Sequence, residues 1–159
     1  MIRRVPGIDL HTMLKACYFA DKKHLNEHGR PIFGATYRAM KFGPVPLEIY
    51  EMAKGDPLWL SEIDAARYPW ELVEGYRLVM KDNAEPDLSS LSESDLEALQ
   101  YGQKLSVNMT FNSRTAATHG RDWQAADLGT MRYEDMFDDI PDREQRIAYL
   151  REAGRHLRL

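Results

Sequence analysis

The stretch His24-Leu25-Asn26-Glu27-His28 has the spacing H-x-x-E-H. In one group of zinc peptidases this pattern sets two imidazoles a helical turn apart, with a carboxylate between them to act as a base. A catalytic zinc also needs a third protein ligand. Glu48, Glu51, Glu62 and His119 can each be nominated, and no motif singles one out. The pair falls in the last turn of its helix, next to Gly29, where side chains are usually exposed and where a charged histidine suits the helix dipole. A plain helix end is the favoured reading, and a zinc-dependent hydrolase the alternative it displaces.

Two other side chains invite chemistry. Cys17 is the single cysteine and has no partner for an internal disulfide. It lies in an apolar helical pattern without a cysteine-enzyme motif, so it reads as a small core residue in a reducing compartment. His119 stands beside Thr118 and near Ser113, as a general base would, but neither a nucleophile elbow nor triad spacing accompanies it. A buried, hydrogen-bonded imidazole between two helices, with Trp123 packed near it, accounts for it better.

The elements that position these residues follow from periodicity and punctuation. A helix opens at Leu10 and runs to about His28, where Gly29 and Pro31 stop it. Leu10, Met13, Leu14, Cys17, Tyr18 and Leu25 share one face, and Asp21 falls inside that apolar arc. A carboxylate buried there must be paired or hydrogen-bonded. Thr36 to Phe42 reads as a short strand. Gly43 then permits a sharp corner, stiffened by Pro44 and Pro46, with Pro46 in the first turn of a helix that should run to Lys54 and end at Gly55. Val45, Ile49, Met52 and Ala53 lie on one side of that helix and Leu47 on the other. A Gly-Pro corner has too few amide donors to make a good anion site, so a rigid corner is expected.

Tyr76 to Lys81 alternates as a strand, with Tyr76, Leu78 and Met80 on one face, and is the expected partner of the Thr36 to Phe42 strand. Ser92 is an N-cap with Asp95 three residues on. The helix it opens has Leu96, Leu99 and Val107 on one side and Ala98, Tyr101 and Leu105 on the other, which points to a central position. A short helix around Arg114 to Thr118, a break at Gly120 and a second short helix carrying Trp123 follow. In the tail, Asp142 and Gln145 have capping-box spacing, and Ile147, Leu150, Gly154 and Leu157 form one stripe. Acidic Glu134, Asp135, Asp138, Asp139 and Asp142 precede basic Arg143, Arg146, Arg151, Arg155 and Arg158, an order that suits a solvated helix.

The expectation is a mostly α (α+β) fold: a single-domain helical bundle with a small antiparallel β-hairpin or sheet. It should span 1–159, with a core at about 8–128 and an amphipathic helical tail at about 129–159. With 159 residues, 43% of them hydrophobic, the chain can bury one real core. The net charge of −4 supplies no general attraction to nucleic acid or anionic membrane. The start has no apolar run long enough for a signal peptide, and a cytoplasmic location is expected.

With the elements in place, a family resemblance emerges. The segment from Met13 to Gly55, with its "K-x-x-YFAD" helix, "G-x-PI-x-G" turn and "GPV" corner, resembles the SocA-like or Panacea antitoxin domain family, which is related to phage-associated GepA-like proteins. The later "THGRDW", Thr118 to Trp123, is similar to that family's "TH" followed by tryptophan. Four separated pieces in order are more specific than any one of them. The matching positions are Lys15, Tyr18, Asp21, Gly29, Pro31, Gly34, Gly43, Pro44, Val45, Thr118, His119 and Trp123, and most look like residues that build the fold.

The resemblance implies an antitoxin that neutralises a cognate toxin, encoded next to it, by direct protein-protein binding, with no enzymatic activity and no cofactor. The nearest alternative is an adaptor that delivers the toxin to a cellular protease. No extra DNA-binding region is visible, and the acidic balance disfavours direct DNA contact. The expected contact surface lies around the proline corner, at Pro44, Pro46 and Leu47, with Leu150 and Leu157 of the tail helix as second choice.

Overall fold

A computed structural model describes residues 1–81, 83 and 85–156, with the side chains of Arg155 and His156 outside that set. Its backbone is α1 (Leu10–His28), which packs along α4 (Glu93–Val107). Asp9 caps α1 by accepting from Thr12 N at 2.8 Å, and Gly29 ends it at φ 74° with its N–H on Leu25 O. Twelve of the nineteen residues of α1 are buried, so α1 is the central helix. The expectation that α4 is central does not hold, because Tyr101 and Val107 are exposed and α4 buries only one face. Gly102 makes the seam possible: a Cβ there would stand 2.7 Å from Ala20 N. Ser92 and Asp95 form the expected capping box.

Two short sheets flank α1. In one, β5 (Arg77–Met80) lies between β1 (Ile8–Asp9) and β4 (Trp70–Val73), all antiparallel. The other is a hairpin of β2 (Tyr37–Met40) and β3 (Gly43–Pro46), in register Tyr37 with Pro46 and Met40 with Gly43. The strand at Tyr76 to Lys81 therefore pairs with β4 and β1 rather than with the Thr36 to Phe42 strand. The expected proline corner is itself the second strand of the hairpin. Its prolines are tolerated because β3 has a strand on one side only.

The helices α2 (Leu47–Ala53), α3 (Leu58–Glu62), α5 (Phe111–Thr118) and α6 (Arg121–Ala125) complete the body, with a 3-10 turn at Tyr133–Met136 and α7 (Arg143–His156). One core gathers Tyr18, Leu25, Tyr37, Met136 and Phe137, and a second gathers Ile8, Met13, Leu14, Val45 and Leu78. The tail helix is docked: Ile147 is buried, Leu150 packs against the first core, and Arg146 Nη1 donates to Asn26 O at 2.6 Å. Leu157 lies outside the described residues. Among the described residues, no helix is long and apolar enough to cross a membrane.

Candidate functional site

His24 is buried and not an exposed helix end, a correction that follows from what it touches. Its Nδ1 lies 2.9 Å from Arg30 O, and its Nε2 lies 3.1 Å from Ser94 Oγ and 3.2 Å from Asp95 Oδ1. Both ring nitrogens are therefore committed to the joint between α1 and α4. His28 is exposed and its ring packs 4.5 Å from that of His24. Among the described residues, no three His, Cys, Asp or Glu side chains come together as a metal-binding group.

The family positions fall into three junctions. At the first, Lys15 Nζ donates to Pro44 O at 2.6 Å while the side chain is almost wholly buried. Gly43, at φ 95°, must be glycine here: a Cβ would press on Thr118 Oγ1 and lie 2.9 Å from Lys15 Cε. Burial, then the charge of Arg114, lowers the Lys15 amine to about 7. Val45 beside it belongs to the second core.

At the second junction Asp21, fully buried, accepts from Ile32 N at 2.7 Å, Phe33 N at 3.0 Å and Tyr37 OH at 3.0 Å. Those bonds hold the turn that Gly29, Pro31 and Gly34 shape, with Gly34 at φ 61°. Burial pushes the carboxyl up to about 6 against the pull of these donors. At the third junction Tyr18 OH donates to Asp122 Oδ2 at 2.5 Å, anchoring α6 to α1. Trp123 on α6 donates from Nε1 to Met40 O at 3.0 Å and stacks on His119 with ring centroids 3.8 Å apart. His119 has the expected tryptophan but not the expected hydrogen bond, since its buried Nε2 has no partner. Cys17 is buried, and desolvation pushes its thiol up to about 12, which leaves no thiolate for chemistry near neutral pH.

The surface expected at the proline corner is closed. Pro44 and Pro46 are buried and Leu47 is half-buried against the second core. What the hairpin does present is its tip: Phe42 is 48% exposed, and its ring meets that of Phe111, 46% exposed, at 5.4 Å. His11 ties this pair to the body. Its Nε2 lies 3.3 Å from Phe42 O, and its Nδ1 lies 3.0 Å from Arg114 Nη1. Since arginine only donates and a carbonyl only accepts, Nδ1 is the acceptor and Nε2 carries the hydrogen. Burial, then the charge of Lys15, lowers His11 to about 4, so the ring stays neutral. Sequence reasoning gave no role to His11, Phe42 or Phe111. The signal available was weak: an aromatic between a lysine and a glycine, the tip of a two-residue hairpin turn.

Residues 13–124 match the family described as antitoxin SocA-like, Panacea domain. No curated protein and no solved structure matches the chain. The matched span holds all three junctions, from Lys15 on α1 to Trp123 on α6, together with the aromatic pair at the hairpin tip. On that match, which covers most of its length, the chain belongs to the SocA-like Panacea antitoxin domain family.

Proposed function

We propose that this chain is the antitoxin of a toxin-antitoxin pair and neutralises its cognate toxin in the cytoplasm by direct binding. The observation that carries this reading is the family match over residues 13–124. It is supported by where the chemistry-bearing groups sit: Lys15, Asp21, His24 and Asp122 are buried and hold helices, strands and turns to one another. The large apolar side chains Phe42 and Phe111 are exposed instead. An antitoxin of this kind acts by mass action, keeping free toxin rare through a tight complex.

The test is bacterial growth with the neighbouring reading frame induced alone and then together with this protein. Growth arrest alone and recovery together are expected, and a pull-down from rescued cells should recover a stoichiometric complex. Rescue with a shortened toxin lifetime and no stable complex would point to delivery to a protease. Arrest that persists despite folded, abundant protein would refute the reading.

A further inference from the structure

Where the first turn of α1, the start of β5 and the start of α5 meet, the domain carries a cleft of about 630 Å³. Leu10, His11, Tyr76, Val107 and Phe111 line it, together with the buried Arg114. Tyr76, Val107 and Phe111 are each more than two-fifths exposed, and Phe42 extends the patch past the rim. Large apolar groups clustered in this way mark interaction sites, and aromatic and arginine side chains supply most binding hot spots. The patch is also held in place: His11 fixes both the hairpin tip and α5, so little freedom is lost when a partner covers it.

The charge of the cleft indicates what covers it. Arg114 donates to Ser106 O at 2.9 Å, Met109 O at 2.7 Å and His11 Nδ1 at 3.0 Å, all of them neutral acceptors. Among the described residues, Arg114 has no carboxylate within ion-pair distance, and the nearby charge of Asp9 acts on it only from further off. Asp9, which lines the same cleft, is committed to Thr12 as the cap of α1. Arg77 adds a further cation at the rim, shared with Glu74. Arg114 in the floor and Arg77 at the rim outnumber Asp9, the one carboxylate among the described lining residues, and this local excess of positive charge favours an anionic partner group.

We propose that this cleft is the docking site for the toxin and receives a toxin segment in which an aromatic or aliphatic side chain stands next to a carboxylate. The apolar group covers Phe42 and Phe111, and the carboxylate approaches Arg114 and Arg77. The identity of the partner rests on the antitoxin reading, while the chemistry of the segment rests on the cleft alone.

Both parts are testable on the full chain. Isotope-labelled protein is titrated with the capped peptide Ala-Phe-Asp-Glu-Ala and with its counterpart Ala-Phe-Lys-Lys-Ala. The acidic peptide should shift the amides of His11, Val107 and Phe111 in a saturable way, and the basic one should bind at least about tenfold more weakly. No shifts at millimolar peptide, or equal response to both, overturns the assignment of the segment. The toxin is then co-expressed with wild type and with the Phe42→Ser/Phe111→Ser variant, whose fold is checked by its melting temperature. Loss of capture by the variant alone supports the site, and undiminished capture overturns it while leaving the antitoxin reading intact. If wild type itself neither captures nor rescues, the antitoxin reading is what fails, and the peptides alone judge the cleft.

Discussion

The imidazole of His24 stands 3.2 Å from the carboxylate of Asp95, across the seam between the end of α1 and the start of α4. Asp95 also completes the capping box of α4 by accepting from Ser92 N, and it accepts from Arg30 Nη2 at 2.8 Å, so one carboxylate joins two helix ends and the turn between α1 and β2. Replacing His24 with alanine leaves Arg30 O and Ser94 Oγ short of a partner at the joint. We expect His24→Ala to cost about 2–3 kcal/mol of stability, read as a fall in denaturation midpoint. Because both nitrogens are engaged, added zinc or a chelator should leave the melting temperature of wild type unchanged. A zinc-dependent rise would show that the helix end is a metal site after all.

A second prediction concerns pH. The Lys15 amine is lowered from its ordinary 10.5 to about 7 by burial and by Arg114. Between those values the unfolded chain holds a proton that the folded chain has released, so stability should rise with pH across that window. Lys15→Met removes the titration. The difference in melting temperature between wild type and Lys15→Met should therefore move in favour of wild type between pH 6 and pH 9.5. A constant difference would mean that the amine stays charged in its pocket.

Much of this was legible in the sequence because it is local. The N-cap at Ser92, the stop at Gly29 and the apolar arc of α1 are each set by residues within a turn of one another, and Asp21 could be marked because a carboxylate inside an apolar arc breaks its own pattern. What failed depends on distant contacts. His24 sits where helix ends are usually wet, and only the return of α4 buries it. The strand pairing was misassigned because Lys41 and Phe42 form a tight turn that carries no Asn-Gly or Asp-Gly signal. The aromatic pair at the cleft joins positions 42 and 111, a distance no periodicity spans.

The helix seam supports a contrasting pair of glycine substitutions. An alanine is ordinarily worth about 1 kcal/mol over glycine inside a helix. At Gly102 the added Cβ would meet Ala20 N at 2.7 Å and Ala20 Cβ at 3.0 Å, so the helices would have to part. At Gly154 on α7 nothing lies within 4 Å. Gly102→Ala should destabilise by roughly 1–3 kcal/mol through overpacking, and Gly154→Ala should stabilise by about 0.5–1 kcal/mol. Urea midpoints with unchanged slopes would establish both. A neutral Gly102→Ala would mean that α1 and α4 can slide apart at little cost.

The bond from Tyr18 to Asp122 links the core to the hairpin that carries Phe42. Asp122 is buried, and its Oδ2 takes the Tyr18 hydroxyl at 2.5 Å and Lys22 Nζ at 3.3 Å, while Oδ1 has no partner. Tyr18→Phe keeps the ring in its contacts with Phe19 and Tyr37 and removes only the donor. The carboxylate then depends on Lys22 alone, so the change should cost about 2 kcal/mol. Lys22→Met should be mild in wild type and distinctly worse in the Tyr18→Phe background, a coupling of about 0.5–3 kcal/mol in a double-mutant cycle. Simple additivity would show that the two donors serve Asp122 independently. Since α6 hangs on this carboxylate and carries Trp123, whose indole N–H holds Met40 O, Tyr18→Phe should also speed exchange of that indole proton. Unchanged exchange alongside a lowered melting temperature would confine the effect to the α1–α6 joint and leave the hairpin tip undisturbed.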